Sequence, residues 1–431
     1  MERRDFIKKF TLLSTVTMAP TFLVKSIKAA RASGMLNADL GNPNRIMVVI
    51  ELAGGNDGLN TVIPYSNNYY EEARPTLGLA NAPGLLTLDS DYALHPVMTG
   101  FKELWDNDLL TIVQGVGYPN PNRSHFRSRD IWHTAEPENV ATGGWLASYF
   151  NSLEDPEDLV GVNIGGAVPR SMVSSEGSAP SILNVDSYQI QTDPFHPEDK
   201  SNKNAAFQQL MAQPQQQFEF QDYVSETILD ATATSIALLE GKENYSSMVE
   251  YPAASAFAGN LRTIAQIIAA DIGVTVFYTR TPGFDTHANQ VLGGNPVQGF
   301  HGGPGGLLDN LSQSVKAFYD DMVEMGRDKD VVVFTWTEFG RRLRANGSNG
   351  TDHGTANQMF LIGDPSNVRS GFDGQHPSLA PEDLDPVGDM ICSVDFRSVY
   401  AHLLSAWLGA DATVVLGSDF TDPSLDFIKT A

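Results

Sequence analysis

Cysteine is nearly absent. Cys392 stands alone in 431 residues, so an intrachain disulfide is impossible and a cysteine-based zinc site is excluded. Basic residues are also scarce: 28 Lys and Arg oppose 52 Asp and Glu, for a formal net charge of -24. Such a surface repels nucleic acid and anionic membrane, and it gives an anionic substrate no long-range attraction. A phosphate or sulfate ester would need local cations, either a bound metal or arginines near the site. Long apolar runs are missing too. The most apolar stretch near the N-terminus, Phe10 to Val24, falls short of the ~20 residues that span a bilayer as a helix. There is no Walker A pattern, no G-x-S-x-G elbow and no G-x-G-x-x-G after a strand, so nucleotide, α/β-hydrolase and dinucleotide readings lack their mechanical parts.

What is present begins with a targeting pattern. Met1 to Lys9 is charged and contains Arg3-Arg4-Asp5-Phe6-Ile7-Lys8, which resembles a twin-arginine export signal. The moderately apolar stretch follows, and Ala30-Arg31-Ala32 offers an A-x-A type cleavage site. Residues 1–32 therefore read as a signal peptide. The twin-arginine export machinery is an expected partner, the destination is periplasmic or extracellular, and no stable membrane span is expected. The resemblance implies export of an already folded protein, often with its metal or cofactor loaded inside the cell.

Residues 33–431 suffice for a single large α/β domain. The apolar runs IMVVIEL, VTVFYT and VVVFTW suit strands buried on both faces of a parallel sheet. Between them lie helical patterns. Pro96 to Trp105 places Val97, Phe101 and Leu104 on one face, Ala253 to Ala270 carries an Ile/Leu stripe, and Leu307, Leu311, Val315, Phe318 and Met322 line another helix. A closing helix is expected over Phe396 to Leu408. The alternation predicts a mostly parallel central sheet with helices on both faces. From about Gly165 to Tyr251 the texture turns polar, Gln-rich and Pro-broken, and 165–251 reads as an insertion or cap containing a helix near Tyr223 to Leu239.

Each of the three strand patterns ends in an acid-bearing loop: GGNDGLN, GFDTHANQ and TEFGRR, the last leading to TDHG. Ligands of open α/β sheets bind beyond the carboxyl ends of the strands. Asp285 and His287 converge naturally on one cation, and Asp352 and His353 offer the same pair of ligand types. Glu338 and Asp57 add carboxylates. The metal set is thus Asp57, Asp285, His287, Glu338, Asp352 and His353. Each pair alone also suits a cap or turn; their gathering at three strand ends is what points to a site. Ser124, between Arg123 and His125, is the candidate nucleophile and equally a simple N-cap, with Ser128 one turn later as fallback. Arg123, Arg127, Arg341 and Arg342 are candidates to clamp anionic oxygens. Ser124, His125 and Arg341 form the catalytic set.

The twin-arginine start, VVIELAGGNDGLNTVIPY, NRSHFRSRDIWHTA, GFDTHANQ, VVVFTWTEFGRR and TDHGTANQMFLIG together resemble the domain-of-unknown-function 1501 family of secreted bacterial proteins. That family is similar in turn to a distant branch of the alkaline phosphatase and sulfatase superfamily. The resemblance implies an α/β sandwich, two divalent metals and a Ser, Thr or modified Cys nucleophile acting on phosphate or sulfate esters. It implies further that Asp57 matches the first-strand aspartate, Ser124 the nucleophile, and Asp285 and His287 the Asp and His loop. Either TDHG is the superfamily's Asp-His pair, or Glu338 takes that pair's place and His353 is the final ligand. The second alignment leaves one histidine ligand missing.

The expectation from the sequence is an exported metal-dependent hydrolase of phosphate or sulfate esters, with a small-molecule or polysaccharide ester as substrate and divalent zinc, calcium or manganese as cofactor. The competing expectation is a non-catalytic secreted binding protein that keeps the fold and a structural cation site.

Overall fold

The computed structural model describes residues 44–141, 143–153, 160–175, 177–188 and 234–429, together with the isolated positions 202, 206 and 209. The expected signal segment and most of the expected helix near Tyr223 lie outside the described residues; within it, residues 234–239 are helical and the helix continues to 244.

The main sheet has nine strands: β1 (Ile46–Ala53), β2 (Leu110–Gly117), β3 (Gly161–Ile164), β4 (Ser181–Ile182), β5 (Val276–Pro282), β6 (Val331–Trp336), β7 (Asn357–Ile362), β8 (Gly371–Gly374) and β9 (Val394–Asp395). Their order is β8-β2-β7-β6-β1-β5-β3-β4, with β9 beside the end of β2. Neighbours run parallel except at β7, which is antiparallel to both β2 and β6. The mixed α/β fold with a mostly parallel sheet is therefore present, and β7 departs from the strict alternation because it follows β6 through a loop without a helix. β4 lies within the stretch read as an insertion, and it pairs with β3 as an edge strand of the same sheet.

Side chains alternate across the sheet as strand geometry requires. Ile46, Val48, Ile50 and Leu52 of β1 join one apolar layer, and Met47 and Val49 join the other. The first layer is covered by α1 (Thr99–Asp106), α4 (Ala256–Ala270) and α5 (Leu307–Glu324); the second by α2 (His125–Thr134), α3 (Trp145–Asn151) and α6 (Phe396–His402). Each fully buried Val, Ile, Leu or Phe stabilises the fold by roughly 1.5–3 kcal/mol relative to exposure. α4 starts where Ser255 accepts a hydrogen bond from the Ala258 N–H at 3.0 Å, and it stops at Asp271 in the left-handed region. α6 runs on as a π-turn over Leu403–Trp407. No helix among the described residues is long and apolar enough to cross a membrane.

β1 lies between β5 and β6 with Ala53 opposite Pro282 and Glu51 opposite Trp336, so three chain exits emerge side by side at the carboxyl edge. β2 points the same way, and α2 follows it. This register brings four distant segments together.

Candidate metal centre

Two side chains of the Glu338–Arg342 segment fix the three exits to one another. The Glu338 carboxylate is fully buried and accepts from the Gly54 N–H at 3.0 Å and the Gly55 N–H at 3.2 Å. The Arg341 guanidinium, also buried, donates to the carbonyls of Gly55 at 2.6 Å, Thr351 at 2.9 Å and Phe284 at 3.1 Å, to that of Gly54, and to Asp285 Oδ1 at 2.7 Å. The turn backbone, with no ladder partner of its own, is satisfied by this carboxylate and guanidinium. Gly54 has φ +127° and lies so close to the β5 exit that a Cβ there would sit 2.3 Å from the Asp285 nitrogen, which is why a glycine is needed.

Three imidazoles close on Asp285. His125 Nδ1 is 2.8 Å from Glu338 Oε1, His287 Nδ1 is 3.2 Å from Asp352 Oδ1, and His353 Nδ1 is 2.8 Å from the Arg123 carbonyl oxygen. A carboxylate or carbonyl only accepts, so in each neutral ring the proton belongs on Nδ1 and the Nε2 lone pair is left bare. All three Nε2 atoms face the same carboxylate: His287 at 3.1 Å and His353 at 3.2 Å from Oδ1, and His125 at 3.4 Å from Oδ2. The two Nε2 atoms of His287 and His353 lie 2.8 Å apart. His125 Nε2 is buried and has no hydrogen-bond partner. Phe339 packs against two of the rings, 4.8 Å from His125 and 4.7 Å from His353 between ring centroids, and so fixes their planes.

The electrostatics agree with an ionised acid set. Burial pushes the Glu338 carboxyl up most strongly, yet the hydrogen bonds from His125, its own backbone N–H and Gly54, with the Arg129 charge, hold it below the usual range. For Asp285 burial again opposes ionisation, and the Arg341 guanidinium, through its hydrogen bond and its charge, leads in holding the carboxyl at about 2. A hydrogen bond from Asn346 is the main reason Asp352 is lowered. Burial lowers His353, keeping that ring neutral, with its Arg123 hydrogen bond opposing.

This donor set suits a cation. His125, Asp285 and His353 offer ligand atoms within 4.8 Å of one another, and His287 Nε2 reaches Asp285 Oδ1 beside His353 Nε2. Lone pairs that converge without protons between them repel unless a positive charge lies among them. The anchoring of each Nδ1 on an acceptor is the outer-shell arrangement that orients metal-ligating histidines. Asp285 and His287 are about half exposed, so the cluster is open to solvent.

Several expected residues take other places. Asp57 is buried, both its oxygens accept from the Arg74 guanidinium, Nη1 to Oδ2 and Nη2 to Oδ1 at 2.8 Å each, and it is not among the grouped ligand atoms of His125, Asp285 and His353. Glu338 and Asp352 stand one imidazole ring behind the convergence, holding His125 and His287 at Nδ1. Arg341, expected to clamp substrate, is turned inward with its donors committed to carbonyls and Asp285. Arg123 is held by Asp385 and Asp389, and Arg127 by Asp130. Ser124 is exposed at the N-cap of α2, and its side chain makes no cap hydrogen bond. Ser128 is fully buried, donating to the Glu338 carbonyl and lying 2.8 Å from the Tyr118 hydroxyl. The sequence reading left Glu51, Arg129 and Arg280 unassigned. The signal for Glu51 was there: it is the single acid within the apolar run of β1.

Backbone comparison finds similar solved structures at low identity. A sulfatase, PsFucS1, from Pseudoalteromonas sp. is 10% identical with a TM-score of 0.37, covering 93% of this chain and 73% of that one. A Bacteroides thetaiotaomicron protein from work on the metabolism of multiple glycosaminoglycans is 8% identical with a TM-score of 0.40, covering 88% and 76%. A protein in the alkaline phosphatase superfamily from Vibrio parahaemolyticus is 10% identical with a TM-score of 0.35, covering 88% and 70%. No curated protein sequence matches. A family model matches residues 114–387, a span holding His125, Asp285, His287, Glu338, Asp352 and His353, and on that match the chain belongs to the family described as Protein of unknown function (DUF1501).

Proposed function

We propose that the protein is an exported metal-dependent hydrolase of phosphate or sulfate esters, with His125, Asp285, His287 and His353 as its cation site. The observation that carries the reading is the common anchoring of three Nδ1 atoms, which leaves three Nε2 lone pairs on one carboxylate. Three nitrogens and one oxygen favour zinc among the expected metals, since calcium and manganese prefer oxygen-rich sets. Zinc bonds of ~2.0–2.1 Å in a tetrahedral site separate ligand atoms by roughly 3.3 Å, close to the separations of 2.8, 3.1 and 3.2 Å among His287, His353 and Asp285.

A divalent cation held there supplies Lewis acidity toward an ester oxygen and lowers the pKa of an attacking hydroxyl or water. The chain's own contribution is positional. Glu338, Asp352 and the Arg123 carbonyl orient the three rings, and Arg341 locks Asp285 while holding the exits of β1 and β5. Ser124, exposed and next to His125, is the nucleophile of this proposal. Its side chain has no hydrogen-bonded base among the described residues, and that observation favours the second reading, a binding protein with a structural cation site.

The test is elemental analysis of protein purified without chelator, beside a folded Asp285→Ala/His353→Ala variant. Stoichiometric zinc that disappears in the variant supports the site; no metal after exposure to divalent ions overturns it. Ester hydrolysis lost in Ser124→Ala with zinc retained supports the enzyme, whereas a zinc-replete protein inert on a broad panel of phosphate and sulfate esters selects the binding protein.

A further inference from the structure

We propose that Arg129 and Arg280 form an anion-binding pair beside the cation cluster and set its preference for substrates bearing a phosphate or sulfate group. The inference takes its substrate class from the ester-hydrolase reading and rests on different side chains. Arg129 lies one turn after His125 on the same face of α2. Arg280, on β5, stands opposite Glu51 of β1 in the strand register. Glu51 is buried at 2% exposure, and its Oε1 is ion-paired with both guanidiniums, 3.0 Å from Arg129 Nε and 3.3 Å from Arg280 Nε, in neither case as a hydrogen bond. Its Oε2 accepts from the Tyr278 hydroxyl at 2.7 Å, which fixes the carboxylate from below.

Both guanidiniums are ion-paired to Glu51, and the Nη pair of Arg280 is left available. Arg129 Nη2 sits 3.5 Å from Glu338 Oε1, the oxygen that also holds His125, so this guanidinium abuts the cluster. Neither Nη of Arg280 has a hydrogen-bond partner among the described residues, and the side chain is 44% exposed. Arg129 lies against two buried carboxylates, Glu51 and Glu338, so the fork with donors to spare is that of the part-exposed Arg280. In a chain of net charge -24 an anion is not drawn in from a distance, so recognition falls to local donors, and a planar fork of N–H groups matches two oxygens of a tetrahedral oxyanion.

The test is calorimetric titration of the full chain with inorganic phosphate and, separately, inorganic sulfate, with bound metal measured on the same samples. The wild type is expected to bind at least one anion, and the tighter one identifies the ester group. Arg280→Gln, a change at an exposed head, is expected to weaken that binding at least tenfold with metal content unchanged, and Arg280→Lys to recover only part of it, because the charge returns without the fork. Arg129→Gln is expected to do the same, and Arg280→Gln stands alone if that variant fails to fold with Glu51 unpaired. A wild type that binds neither anion, or an Arg280→Gln protein that binds as well as wild type, overturns the pair. Arginine-dependent anion binding in a protein that takes up no metal upholds the pair and removes the metal reading, so the two failures are distinguishable.

Discussion

Glu338 illustrates how one buried side chain can set the tautomer of a neighbouring ring. It is ionised although buried, because the N–H groups of Gly54 and Gly55 and the His125 ring all point at it. The ionised carboxylate can only accept, so it forces the His125 proton onto Nδ1 and turns Nε2 toward Asp285. An amide in its place presents N–H as well as oxygen to the same neighbours, and it gives up the charge that holds the imidazole. Glu338→Gln is therefore predicted to fold and to bind zinc about 10–100-fold more weakly, the range typical for outer-shell changes. Competition with a chromophoric chelator measures this. Affinity equal to wild type would show that His125 is not a ligand or does not need its tautomer set.

At the scale of elements, the strand exits matter more than the strands. β6 is an unbroken apolar run, and its bounds are legible in the sequence; so are α4 and α5, whose stripes repeat at helical spacing. The reversed direction of β7 was not legible, because an apolar hexamer carries no sign of its direction. The site was half legible. His287 and His353 carry neighbouring acids, and their convergence could be argued from spacing. The anchor for His353 is a backbone carbonyl, Arg123, which no residue type announces. Asp57 lies in the right loop for a ligand, but Arg74, the C-cap of the short helix Asn68–Ala73, donates to both its oxygens. Gly54 tests the coupling between exits. Its left-handed-side φ and the contact of 2.3 Å to the Asp285 nitrogen predict that Gly54→Ala pushes the Asp285 loop away, at a cost on the order of 1–3 kcal/mol. A fall in Tm accompanied by loss of bound zinc is the expected outcome, and a variant with wild-type metal content would show that the two loops are not coupled in this way.

Across the described residues, three histidines, His125, His287 and His353, meet solvent at the cluster and three others, His95, His133 and His301, are sealed in the fold. His95 and His133 are held at about 3 and His301 at about 4, with burial the largest cause for each. These folded-state values lie below the unfolded value of about 6.5. Between the two values the unfolded chain binds protons that the folded chain does not, so stability is full above about pH 6.5 and falls as the pH drops toward 3–4. Each such group contributes up to about 1.4 kcal/mol per pH unit within that window. Asp285, at about 2, acts in a lower window: its contribution is present above about pH 3.9 and is lost as the pH falls through about 2. Half exposed, it contributes little beside three buried rings. The protein is therefore predicted to lose Tm between pH 7 and pH 5, before its carboxylates protonate, and the loss is expected in chelator-treated protein as well as in metal-loaded protein because none of the three rings belongs to the cluster. Replacing His95 and His301 together by Asn is expected to flatten the dependence in this range, leaving the slope due to His133 and to His376 and His402, which burial also lowers. A Tm constant from pH 7 to pH 5 would mean that the buried rings gain their protons without opening the fold, and a slope unchanged in the double variant would assign the acid sensitivity to other groups.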